Sequence, residues 1–219
     1  MTKETMGLAG SDRSQWDAAL HLVFDRVDGQ TKLSERAHKG PLYVQKPFYP
    51  EGQEHPHVYV LHPPGGIVSG DCLEVDIEVL KRASGLVTTP GATRFYRARE
   101  DRDVQTQNTQ IIVRDGASFE WFPMETIIFN KANVRMSTTI DLEDGGNFIG
   151  WEISCFGRPA SSDFFTEGSF YQTYFLRING QPQFVDHLSI EGGTESVLSD
   201  CSGFRGNTVS GFILIGPFL

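Results

Sequence analysis

Cysteine is scarce in this chain, and what there is does not cluster. Cys72, Cys155 and Cys201 stand far apart, and no CxxC occurs. An odd, dispersed set of three excludes a disulfide framework and a structural zinc site. Basic residues are in deficit, 19 against 28 acids, for a formal net charge of −9. That excludes nucleic acid as the default partner, because phosphate binding needs a basic stripe. Metal cations and basic protein surfaces stay open. No run approaches the ~20 apolar residues that span a bilayer. The stretch Met1–Ser11 is polar and lacks the charged-then-apolar layout of a secretory leader, so a cytoplasmic location is expected. There is no GxSxG, no P-loop, no HExxH, and no GxGxxG between a strand and a helix. The common hydrolase, nucleotide and zincin chemistries are thereby absent.

Helix signals are few, whereas strand signals recur. Of the 219 residues 39% are hydrophobic and 16 are Phe, enough for a sizeable core. From Cys72 to Val79 apolar residues (Leu73, Val75, Ile77, Val79) alternate strictly with Cys72, Glu74, Asp76 and Glu78, the pattern of a half-buried strand. Leu20, Leu22 and Phe24 repeat it, as do Val134, Met136, Thr138 and Ile140. Phe170, Tyr174, Leu176 and Ile178 follow suit, with a polar interruption at Gln172. Asp28-Gly29, Asp115-Gly116, Asp144-Gly145 and Asn179-Gly180 separate strand-like segments and suit the primed turns of antiparallel hairpins. The expected fold is mainly β, with stacked and largely antiparallel sheets. The best helix signal is Arg94–Arg102. No linker or low-complexity segment interrupts the chain, so residues 1–219 read as a single domain. The apolar run from Gly211 to Leu219 either completes a sheet or awaits a partner segment, and self-association is expected of it.

Two conformationally restricted runs stand out. The first is His62-Pro63-Pro64-Gly65-Gly66-Ile67-Val68-Ser69-Gly70-Asp71, and the second is Thr88-Thr89-Pro90-Gly91-Ala92-Thr93-Arg94-Phe95-Tyr96-Arg97. Proline and glycine at this density fix a tight backbone path that shapes a surface or a passage. By parity Asp71 shares the apolar face of the strand that follows it. An inward carboxylate is costly unless paired, protonated or wetted, so Asp71 is either a cap on the glycine turn or a functional ligand. Glu125 and Glu152 also lie within apolar runs, although Glu152 has Arg158 nearby as a structural partner. His55 and His57 form an HxH pair. They read either as solvated loop residues or, with a carboxylate such as Glu51, as ligands of a metal-dependent enzyme or ligand-binding protein of cupin-like β-sandwich type.

The two runs resemble the signature of the urease accessory proteins called UreD, or UreH. The resemblance extends in order through Trp16-Asp17-Ala18-Ala19-Leu20, Gly40-Pro41-Leu42-Tyr43-Val44-Gln45 and Phe48-Tyr49-Pro50-Glu51-Gly52. It continues through Trp121-Phe122-Pro123-Met124-Glu125-Thr126-Ile127 and Phe156-Gly157-Arg158-Pro159-Ala160. It implies a non-enzymatic, chaperone-like scaffold whose stacked sheets resemble a β-helix with few short helices. It implies apo-urease, UreF and the GTP-binding UreG as partners, and Ni2+ in transit through an internal water-filled tunnel with no tightly bound cofactor. Carried over by motif position, Asp71, Glu125 and Glu152 become the expected metal-path carboxylates, with Thr88 and Thr89 lining the path. Oxygen donors hold a transition ion loosely enough to release it. Three departures are visible. Ser69-Gly70-Asp71 stands where the family often has Gly-Gly-Asp. Asn130-Lys131-Ala132 stands where it often has Asp-Gly-Ala, and Ser162-Asp163 where it often has Gly-Glu. Family chains also continue beyond the equivalent of Leu219, so a C-terminally shortened member is expected.

Overall fold

The computed structural model describes residues 15–100, 103–193 and 197–217. The polar Met1–Ser11 stretch, residues 101–102 of the expected helix and residues 218–219 lie outside the described residues. The alternation at Cys72–Val79 becomes a strand with the same limits. Seven strands form the first sheet: β1 (Asp17–Val27), β2 (Gln30–Lys39), β5 (Cys72–Val79), β8 (Gln105–Val113), β11 (Asn133–Leu142), β14 (Ser169–Ile178) and β15 (Gln181–Glu191). Their order is β15-β14-β11-β8-β5-β1-β2. A second, nine-stranded sheet contains β3 (Tyr43–Val44), β4 (His57–Leu61), β6 (Ser84–Thr88), β9 (Ser118–Phe122), β12 (Asn147–Arg158), β10 (Thr126–Ile128) and β7 (Thr93–Phe95), in that spatial order. There β13 (Asp163–Phe164) and β16 (Val209–Gly216) pair with β12. A 3₁₀ turn at Pro159–Ser161 is the one named helical element among the described residues.

The β class holds, but the pairing is mixed and most neighbours are parallel, not antiparallel as the turns led one to expect. The chain β1-β5-β8-β11-β14 is parallel throughout, and so is β4-β6-β9-β12. The reason lies in the four turns. At Asp28-Gly29 and Asn179-Gly180 both residues have positive φ, and each turn closes a true hairpin, β1–β2 or β14–β15. At Asp115-Gly116 and Asp144-Gly145 only the glycine does. Those two turns send the chain from the first sheet across to the second, from β8 to β9 and from β11 to β12. A chain that alternates between sheets returns to each in the same direction, which makes successive strands parallel.

The expected helix at Arg94–Arg102 is also corrected. Thr93–Phe95 is strand, and backbone bonds claim its flanks: Ile67 N–H to the Arg94 carbonyl at 2.7 Å, and Tyr96 N–H to the Ile67 carbonyl at 3.0 Å. Tertiary pairing overrides a weak local preference.

Inward residues of both sheets meet in one apolar core. Phe24, Phe95, Phe119, Phe156 and Phe170 are fully buried within it. Each is worth about 1.5–3 kcal/mol in apolar area removed from water. On the outer face of β5 the acidic row Glu74, Asp76 and Glu78 meets solvent, and Arg114 bonds Glu78 and Glu143. β16 completes the second sheet along β12 but leaves Val209, Ile213 and Ile215 exposed.

Candidate functional site

The two restricted runs come together in space. Besides the Ile67 bonds, Tyr96 packs directly on Gly66, where an added Cβ would lie 2.1 Å from the ring. Asp71 closes the first run. Its Oδ1 accepts from Trp16 N–H at 3.0 Å and its Oδ2 from Val68 N–H at 2.9 Å, in a position 5% exposed. These are the bonds of a cap. Ser69, in turn, takes the Arg99 N–H on its hydroxyl at 2.6 Å.

Between these loops and the core lies a cavity of about 290 Å³. Its mouth includes exposed Pro63, Pro90, Gly91 and Met124, and its inner wall includes Val75, Trp121, Met136 and Glu152. Glu152 is buried on β12, yet no cation is among the partners of its carboxylate. Oε1 accepts from Thr138 Oγ1 at 2.7 Å and Trp121 Nε1 at 3.3 Å, and Oε2 accepts from Gln172 Nε2 at 3.0 Å. Tyr174 also bonds to it. Burial pushes the Glu152 carboxyl above the usual carboxylate range, and the bonds from Thr138, Trp121, Tyr174 and Gln172 pull it only partly back. The same burial, reinforced by the neighbouring carboxylate, raises Tyr174. Arg158, the structural partner offered by sequence, bonds Asp163 instead.

The other expected path residues are dispersed. Thr89 lines the cavity, accepts from Met124 N–H at 3.0 Å and donates to the Gly91 carbonyl at 3.1 Å. Thr88 donates to the Phe122 carbonyl at 2.6 Å and is outside the lining. Glu125 is half-buried outside it, near enough that its charge, after burial, raises the Cys155 thiol. His62 is on the cavity wall, where burial lowers its imidazole below the ordinary value while Asp71 pulls it partly back up. The shell around Glu152 was not assigned from sequence. Gln172 had read as an interruption, although its parity with Phe170 and Tyr174 already placed it on the inner face.

His55 and His57 are not solvated loop residues. Their side chains are only 16% and 18% exposed, and their rings meet edge-on with centroids 5.4 Å apart. His57 Nε2 is 2.9 Å from Glu51 Oε1, and one ligand-type atom from each of Glu51, His55 and His57 lies within 4.8 Å of the others.

The chain is similar to known accessory proteins over nearly all of its length. The UreD urease accessory protein family model matches residues 17–218. The urease accessory protein UreD of Marinomonas sp. (strain MWYL1) is 43% identical over 205 residues, covering 94% of this chain and 66% of its own length. That of Alcanivorax borkumensis is 42% identical over 194 residues, covering 87% and 64%. That of Psychromonas ingrahamii is 41% identical over 217 residues, covering 97% and 70%. The chain thus spans about two thirds of the length of these relatives.

Proposed function

The chain belongs to the UreD urease accessory protein family, and from that premise we propose that it is a urease maturation factor. In this reading it is a chaperone-like scaffold that binds apo-urease together with UreF and UreG and helps Ni2+ reach the urease active site. UreD-family proteins are accessory, non-catalytic factors, which sets aside the metal-enzyme reading of His55 and His57. The winding of the chain between its two sheets accords with a β-helix-like body, and in this reading the protein acts in the cytoplasm. No helix among the described residues is long and apolar enough to cross a membrane.

The observation that carries the nickel part is Glu152: a buried carboxylate at the wall of a cavity, held by neutral donors and by no cation. An arriving divalent ion would supply the missing positive charge and convert a costly buried carboxylate into a paired one. With hydroxyls and amides around it the ion is held weakly, as cargo must be. Thr89 lines the same cavity. Asp71, Glu125 and Thr88 are proposed as path residues at its margins, with Asp71 acting first as the cap that holds the loop.

The test is Glu152→Gln in a urease activation assay, with co-purification of UreF and apo-urease from the same samples. Assembly is expected to persist while nickel-dependent activation falls roughly tenfold. Unchanged activation with intact assembly would remove the conduit and leave a structural clamp. Failure of the wild-type chain to bind either partner would overturn the maturation role itself.

A further inference from the structure

We propose that Glu51, His55 and His57 form a divalent transition-metal site on the outer face of the second sheet, separate from the cavity. The position follows from strand parity. His57, Leu86 and Glu120 are level with one another on β4, β6 and β9. Their neighbours Val58, Val87 and Trp121 point into the protein and are buried. Hence His57 and Glu120 project from the side opposite Trp121, which lines the cavity.

The protonation pattern around His55 is what distinguishes this cluster from an ordinary polar surface. Ser84 Oγ lies 2.6 Å from the Glu54 carbonyl and gives its only proton there. Toward His55 Nδ1, 3.2 Å away, the same oxygen is therefore an acceptor. In its neutral form the ring then carries its proton on Nδ1 and leaves the Nε2 lone pair free, on the side of Glu120. That Nε2 is shut off from solvent and has no hydrogen-bond partner, and the Glu120 carboxylate is too distant at 3.7 Å. A buried lone pair with no donor is unfavourable as it stands. With Nδ1–H fixed by an outer acceptor, it has the arrangement of a metal-ligating histidine.

Two imidazoles and a carboxylate suit Zn2+, Co2+ or Ni2+. Bonds of about 2.0–2.2 Å put ligand atoms about 3–3.5 Å apart. The present separations, all within 4.8 Å, shorten on binding by side-chain rotation, for which Glu51 is free: its side chain is 65% exposed and already reaches His57.

The experiment is calorimetric titration of the full chain with NiCl2 and with ZnCl2, together with the visible absorption of bound Co2+ as a readout of imidazole ligation. One equivalent is expected to bind. Its affinity should fall at least about tenfold in Glu51→Gln and more in His57→Gln. Glu152→Gln should leave this equivalent unchanged, which keeps the result independent of the nickel-conduit reading. Glu51 is exposed, so its variant tests the site without disturbing the core, and circular dichroism confirms that His57→Gln folds. No binding by the wild type, or wild-type affinity in both Glu51→Gln and His57→Gln, would overturn the site.

Discussion

The Thr138 hydroxyl donates to Glu152 Oε1 at 2.7 Å, joining β11 of the first sheet to β12 of the second at a point closed to solvent. Opposite, Gln172 Nε2 serves Oε2, while Gln172 Oε1 is buried without a partner. If the carboxyl is protonated and the Gln172 amide turned over, that oxygen gains a donor. The geometry thus accommodates the acid as well as the anion.

A pH signature follows. The folded-state pKa of Glu152 is raised above its ordinary value of 4.5, chiefly by burial. Its contribution to stability is therefore fully present below that value and is lost as pH rises through the folded pKa. The difference in urea midpoint between wild type and Glu152→Gln is expected to move in favour of the variant as pH is raised from about 4.5 toward neutrality. A difference independent of pH would show that the carboxyl ionises as it would in water.

Asp71 makes a contrasting prediction. Its two oxygens each hold a backbone N–H, from Trp16 and Val68. In Asp71→Asn an amide NH2 must face one of those donors. The expected cost is about 1–3 kcal/mol, the penalty of an unsatisfied buried group, measured by urea unfolding. A urease activation defect in any Asp71 variant has to be read against that loss of stability.

Glycines in the two restricted runs separate by neighbourhood. At Gly66 a Cβ would collide with the Tyr96 ring, whereas at Gly91 nothing lies within 4 Å and no unusual φ is required. Gly66→Ala is expected to cost about 1–3 kcal/mol, as overpacking does. Gly91→Ala should fall within about 0.5 kcal/mol of wild type. Thermal melts of the pair check both, and equal melting temperatures would mean that the Tyr96 contact is dispensable.

Strand positions were the most legible part of the sequence, because burying one face imposes a period of two that survives in the residues themselves. It gave the limits of β5 and the inward aim of Asp71. The partner of each strand was not legible: an Asp-Gly pair records a turn but not the sheet into which the chain turns. At the site, Glu152 was visible as an acid among apolar residues. Its donors were not, because Trp121, Thr138, Gln172 and Tyr174 come from three strands and converge only after packing. His55 and His57 looked solvated beside Glu51, Gly52 and Glu54. Their burial depends on Ser84 and Glu120, which the parallel pairing of β4, β6 and β9 brings alongside.

The last prediction concerns β16. Its alternation is expressed in three dimensions: Phe212 stacks on Tyr174 with centroids 3.9 Å apart and Leu214 packs against the core, while Val209, Ile213 and Ile215 face outward. Among the described strands β16 pairs only with β12, so its other edge also offers unpaired backbone groups. Apolar side chains beside an open edge are the usual template for pairing with a second copy. The chain is therefore expected to self-associate with rising concentration, and Ile213→Lys to shift it toward the monomer in light scattering. Ile213 is 57% exposed, so the same substitution should change the unfolding free energy by no more than about 0.5 kcal/mol. Undiminished association in Ile213→Lys would move the contact to another surface. A large loss of stability would instead mean that Ile213 is covered in solution.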